Sequence, residues 1–207
     1  MLLQMMPREK GLAYSTPFQL TICGLEELRQ HGASRVTHML SILDPGSPDP
    51  EMLREFPLHQ RLKLYFHDII EPATGWIAPE RWDVEVLLAF GRELATAQDH
   101  PHAAPIHLLV HCHAGLSRST AAAILILAQH DPDHPADDAV GTVTRLRPQA
   151  WPNLRIIELG DALLGRGGEI VAAARMHYRM ALLREPWLAS SLIQSGRARE
   201  VAAAGVR

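Results

Sequence analysis

Ten consecutive residues, His111-Cys112-His113-Ala114-Gly115-Leu116-Ser117-Arg118-Ser119-Thr120, constrain this chain more than any others because of what flanks them. Pro105 to Val110 is a short apolar run with little alternation, which suits a strand covered on both faces of a largely parallel sheet. Ser119 to His130 is rich in Ala and Leu and free of Gly and Pro, which predicts about three turns of helix. A strand that runs into a helix in this way leaves unpaired N–H groups at the helix N-terminus. Anions bind there.

The residue types in the loop add chemistry to that electropositive junction. Cys112 is expected to meet the helix dipole, the loop amides and the Arg118 cation, each of which favours a thiolate over a thiol. A loop curled around a tetrahedral anion brings Arg118 back as a bidentate clamp, a geometry that Lys does not offer. Gly115 permits backbone angles that other residues avoid, so that the amides can point inward as a nest. Ser119 stands where a hydroxyl can donate to the Cys112 sulfur as it leaves. An inert buried Cys beside a surface Arg would leave Gly115, Ser119 and the junction unexplained.

The Cys-x5-Arg spacing, with His before it and Ser after it, resembles the signature of the cysteine-based protein tyrosine phosphatase superfamily. The wording Ala114-Gly115-Leu116-Ser117-Arg118-Ser119 is most similar to its dual-specificity-phosphatase-like branch, and a looser resemblance in element order runs from Phe18 to Leu164. The resemblance implies a phosphomonoester hydrolase, a protein tyrosine or dual-specificity phosphatase that works through a phosphocysteine on Cys112 and needs no metal or other cofactor. It implies phosphate binding by His113, Ala114, Gly115, Leu116, Ser117 and Arg118, with His111 holding the loop and Ser119 assisting the sulfur. It also places an Arg-Pro connection, here Arg147-Pro148, at the back of the phosphate loop, unless Arg147 is simply a helix C-terminal cation.

Departure of an alkoxide or phenoxide from phosphorus needs a proton, normally from a carboxylic acid on a neighbouring loop. Asp68, at the end of the third apolar run, holds the place that the resemblance implies for this acid; Glu71 and Asp83 are the rivals, and an ordinary solvated strand-end carboxylate is the bland reading. Trp76 lies on the adjacent loop, either over the substrate or as a plug on the core. Gln149 or Asn153 is a candidate for orienting the hydrolytic water.

The other elements follow from pattern. Phe18 to Cys23, Val36 to Leu43 and Arg61 to Phe66 read as strands. Helices are expected over Gly24–His31 with Gly32 as its stop, and over Glu80–Gln98 with Trp82, Val84, Val86, Leu87, Phe90 and Leu94 inward. Further helices are expected over Pro135–Arg147, Leu154–Leu164 and Ile170–Leu183. The fold class is therefore α/β, a central, mostly parallel twisted sheet of about four to five strands flanked by helices on both faces. The expected organisation is an N-terminal extension over 1–12, one catalytic domain over 13–185 and a C-terminal tail over 186–207, partly disordered.

Composition narrows the partners. The chain has 207 residues and a net charge of −3, and only Lys10 and Lys63 among its 20 basic residues are lysines. No basic surplus argues for nucleic acid or an anionic membrane, and the longest apolar run, Ala121 to Ala128, is far short of a membrane span. The N-terminal Met-Leu-Leu-Gln-Met-Met is not a credible signal peptide, and two cysteines without a disulfide framework favour the cytoplasm. The expected partner is a phosphorylated protein or a small phosphomonoester, since the loop lacks the Lys of an inositol polyphosphate pocket. Three alternatives stay open: a catalytically silent phosphate-binding adaptor of the same fold, a zinc-dependent site built from His100, His102, His107, His111, His113 and Cys112, and a sulfur transferase of the rhodanese kind. Cys23 is either a small buried hydrophobe or, as in some relatives of the resembled family, a partner for oxidised Cys112.

Overall fold

The strand that leads into the loop, β4 (His107–His111), is buried at every residue because it lies between two neighbours. The computed structural model describes residues 16–32, 34–56, 60–98 and 105–206. The expected 1–12 extension, His100 and His102 fall outside them. Strands β1 (Gln19–Cys23), β2 (His38–Leu43) and β3 (Gln60–Tyr65) complete a four-stranded sheet in the order β1-β4-β2-β3, with every pair parallel. The last strand in sequence is thus inserted between the first two, and the carboxyl ends of β1, β4 and β2 converge where the loop begins.

Period-two alternation divides the strand residues between the two faces. Leu20, Ile22, Leu40, Ile42, Leu108 and Val110 join the main core with α1 (Arg81–Gln98), α2 (Arg118–His130), α3 (Ala136–Leu146), α4 (Leu154–Leu164) and α5 (Glu169–Arg184). Cys23, Val36, Met39 and Leu109 form a smaller cluster with Leu28, Leu53 and Phe56. The 3-10 turns Leu28–His31 and Glu51–Glu55 supply Leu28 and Leu53 to that second face. Helix α2 is buried from Arg118 to Ala128, and its alanines let neighbours come close. Gly160 on α4 is the other half of that contact, since a Cβ there would stand 2.3 Å from Leu125 Cδ1.

Three local expectations are corrected. Gly24–His31 forms turns and one 3-10 turn rather than a helix: its backbone bonds span three residues, as from Glu27 N to Gly24 O at 3.2 Å and from Leu28 N to Leu25 O at 3.3 Å, and Glu27 accepts from Gly24 N at 2.7 Å. Trp82 is 71% exposed. It precedes Val84 by two positions and so lies across the helix from that buried residue, a consequence of 3.6-residue periodicity. The segment expected as a tail carries α6 (Leu188–Gln194) and α7 (Ala198–Ala203), and Ala204 joins the main core. Glu200 on α7 is fully buried and accepts from Trp151 Nε1 at 2.6 Å and Leu154 N at 2.9 Å. Those bonds tie residues beyond 185 to the start of α4.

Candidate active site

The loop from Cys112 to Ser117 is held by its carbonyls. His113 O accepts from Leu25 N at 2.9 Å, and Ala114 O and Gly115 O both accept from Arg147, from Nη2 and Nε respectively, at 3.1 Å. Leu116 O accepts from Trp151 N at 2.8 Å, and Ser117 O from Asn153 N at 3.2 Å. Five consecutive carbonyls are therefore engaged by donors from outside the loop. In a trans peptide the N–H points opposite to the C=O, so the amides of residues 114 to 118 are turned to the inner side. One of them, Gly115 N, donates to Cys112 Sγ at 3.3 Å. Gly115 has φ of +70°, and a Cβ there would stand 2.4 Å from the Cys23 carbonyl carbon, so both its angle and its position demand glycine.

Arg147 resolves between its two readings. Besides the two loop carbonyls it pairs with Glu27 at 2.7 Å, which fixes the guanidinium against the outer side of the loop. That hydrogen bond to Arg147 is the main reason the Glu27 carboxyl is held below its ordinary range.

Cys112 is 2% exposed, with Ser119 Oγ at 3.2 Å from its sulfur. Arg118 is equally buried. Its Nη1 donates to Asp44 Oδ1 and to Phe66 O, each at 2.6 Å, whereas its Nε is buried without a hydrogen-bond partner among the described residues. A buried guanidinium N–H left unpaired is costly unless a ligand supplies the acceptor. His111 Nε2 lies 2.6 Å from Ser41 Oγ, which accepts from Arg61 Nε at 2.8 Å. Burial, and then the nearby Arg61 charge, push the His111 imidazole down to about 4, so it is neutral at pH 7 and braces the loop rather than adding a cation. His113 and Ala114 are exposed and line a cleft of about 570 Å³ with Gly24, Leu25, Glu26 and Glu27.

Asp68 meets the loop directly. Its Oδ1 accepts from Ser117 Oγ at 2.8 Å and Asn153 Nδ2 at 2.9 Å, and pairs with Arg197 Nη2 at 2.6 Å. Among the described contacts no donor reaches Oδ2. The rival carboxylates are engaged elsewhere: Glu71 pairs with Arg199, and Asp83 accepts from Glu80 N at 2.8 Å at the start of α1. Asn153 also caps α4 by accepting from Ile156 N at 3.1 Å, while Gln149 is exposed. Trp76 is 56% exposed and meets His67 edge-on at 4.8 Å, on a loop closed by reciprocal bonds between His67 and Ile77.

The described histidines do not converge. His107 bonds Thr21 Oγ1 at 2.9 Å and His111 faces Ser41; among the described residues no group of three His, Cys, Asp or Glu is placed to hold a metal ion. Both cysteines are free and buried. Burial, with Glu27 nearby, pushes the Cys23 thiol up to about 12, which leaves it a poor nucleophile for exchange with Cys112.

Asp44, Glu27 and Arg197 escape a reading of the sequence. Asp44 had one signal: like Asp68, it is an acidic residue just beyond the end of a strand.

No family model matches the chain, and no curated protein does. Solved structures do. DUSP15 superposes with a TM-score of 0.53 at 20% identity, over 75% of this chain and 88% of that one. A mouse putative dual specificity phosphatase complexed with zinc tungstate gives 0.51 at 19% identity, over 78% and 95%. The Cydia pomonella PTP-2 phosphatase gives 0.51 at 20% identity, over 70% and 84%. The sheet order, the loop at the end of β4 and these superpositions together lead to one conclusion: the chain has the fold of the dual-specificity-like protein tyrosine phosphatases.

Proposed function

We propose that this protein is a cysteine-dependent phosphomonoester hydrolase, acting on phosphotyrosine or phosphoserine/threonine in protein or on a small phosphomonoester in the cytoplasm. The observation that carries the reading is the buried Nε of Arg118, without a hydrogen-bond partner among the described residues, in the same loop as Cys112, whose amides are turned inward by five engaged carbonyls. These groups suit the equatorial oxygens of a phosphoryl group. Cys112 Sγ attacks phosphorus in line, the S–P bond forms as the ester P–O bond breaks, and Asp68 gives its proton to the departing oxygen. Arg118 Nε and the amides hold the charge on the three equatorial oxygens. Water then attacks the phosphocysteine and passes a proton to Asp68, the S–P bond breaks, and Ser119 Oγ donates to the leaving sulfur. Inorganic phosphate is released.

The test is hydrolysis of an aryl phosphate between about pH 5 and 7 with EDTA present, with and without orthovanadate, on wild type and Cys112→Ser. Turnover that survives EDTA, stops with vanadate and vanishes in Cys112→Ser is expected. Bound vanadate without turnover would instead favour the silent adaptor, and loss on chelation would favour a metal.

A further inference from the structure

Three segments far apart in sequence meet at one carboxylate. Arg197, at the turn entering α7, is buried and directs Nη2 to Asp68 Oδ1 at 2.6 Å, Ser117 Oγ at 3.0 Å and Asp68 O at 3.3 Å. Its Nη1 donates to Glu200 Oε1 at 3.0 Å, and Glu200 is itself anchored by Trp151 Nε1 and Leu154 N. Burial works against charge on Arg197, but the Asp68 and Glu200 carboxylates outweigh it and hold the guanidinium above its ordinary range. Burial likewise pushes the Glu200 carboxyl up, with Arg197 opposing. Such a buried ion pair is weak evidence for stability, because desolvation offsets much of the attraction. Orientation is what it supplies here. Ser117 Oγ accepts from Arg197 and donates to Asp68, so the cation fixes the carboxylate both directly and through the phosphate loop.

We propose that Arg197 is the positioning residue for Asp68: by occupying Oδ1 together with Ser117 and Asn153, it leaves Oδ2 as the oxygen that carries the proton to the leaving group. The proposal rests on the phosphatase reading and extends it, because it makes the segment beyond residue 185 part of the working site. The proton moves from Oδ2 to the ester oxygen as the P–O bond breaks, and the carboxylate that remains is the one Arg197 already pairs with. Arg197 touches no reacting atom.

A positioning role and a merely structural one differ in their dependence on the leaving group. The experiment compares kcat on p-nitrophenyl phosphate, whose leaving group needs little protonation, with kcat on phenyl phosphate. It uses wild type, Arg197→Met, Arg197→Lys, Asp68→Asn and the double variant Asp68→Asn/Arg197→Met. Arg197→Met is expected to lose about tenfold or more on phenyl phosphate and less than about threefold on p-nitrophenyl phosphate. Arg197→Lys should recover part of the loss, and Arg197→Met should have no further effect in the Asp68→Asn background. If Arg197→Met leaves Glu200 uncompensated and fails to fold, Arg197→Met/Glu200→Gln removes both charges while the Gln carbonyl oxygen keeps an acceptor for one of the two donors, Trp151 Nε1 or Leu154 N. Equal loss on both esters, or losses that add to those of Asp68→Asn, would overturn the positioning role. Wild type that hydrolyses neither ester would overturn the phosphatase reading itself and the role with it.

Discussion

Arg118 and Asp44 form a tether: the guanidinium gives Nη1 to Asp44 Oδ1 at 2.6 Å, while its Nε has no partner among the described residues. The pair is partly open to solvent on the Asp44 side, whose side chain is 42% exposed, so its value lies in aim rather than in stability. Asp44→Ala should leave the fold intact and lower kcat/KM for an aryl phosphate by about tenfold, the cost of about one hydrogen bond to a charged group. Steady-state kinetics and a thermal melt separate the two effects.

Gly115→Ala meets two penalties at once, a positive φ and a Cβ 2.4 Å from the Cys23 carbonyl carbon. The loop or β1 must shift. Destabilisation by about 2 kcal/mol or more is expected from the backbone angle and the clash together, read by urea denaturation, together with loss of vanadate binding.

Arg147→Met frees the Ala114 and Gly115 carbonyls and leaves Glu27 with Gly24 N but without its cation. The amides that follow those carbonyls then lose their aim. A rise of about tenfold in the vanadate Kd is expected, equivalent to about 1.4 kcal/mol, measured by inhibition or calorimetry. Arg147→Lys should fall between, since an ammonium lacks the planar fork that reaches two carbonyls at once.

His111 titrates at about 4 in the folded chain and near 6.5 when unfolded. Between those values the unfolded state binds the proton and the native state does not, so stability rises with pH. The contribution is fully present above about pH 6.5, falls as pH drops toward about 4, and amounts to roughly 3 kcal/mol across that window. His111→Gln should flatten the fall in urea-derived stability between pH 7 and pH 4.5. An unchanged slope would show that other groups carry it.

Asp68→Asn keeps an acceptor for Ser117 but removes the transferable proton. A drop on the order of a hundredfold is expected on phenyl phosphate, with a much smaller one on p-nitrophenyl phosphate. Equal rates on phenyl phosphate for variant and wild type would remove Asp68 from the mechanism.

Local geometry was readable where the residues that come together are also close in sequence. Cys112, Gly115, Arg118 and Ser119 lie on one loop, and apolar runs on either side place β4 and α2 to within two residues. Asp68 was reachable because the end of a strand is a site in its own right. Arg197 carries no local pattern, and Asp44, though it too stands just beyond a strand, has nothing in the sequence to show its partner, since each acts through a contact that bridges more than 70 positions. Trp82 misled for a related reason: a large apolar side chain next to a helix start looks inward by composition, while the helical repeat turns it out. The segment after Pro186 looked like a tail because its short, Ala-rich turns cannot stand alone, and only Glu200 and Arg197 reveal the core that holds them.

The strand order bears on how the protein is made. With β4 between β1 and β2, a nascent chain that has emerged only as far as α1 has a sheet with its centre missing, since β1 and β2 each pair with β4 and not with one another. Such non-local, parallel closure is slow and leaves strand edges open until it happens. The strand that closes the gap is the one that ends at the cysteine. A half-assembled chain therefore lacks the contacts that hold the Cys112 loop against the end of β1, among them the bond from Leu25 N to His113 O.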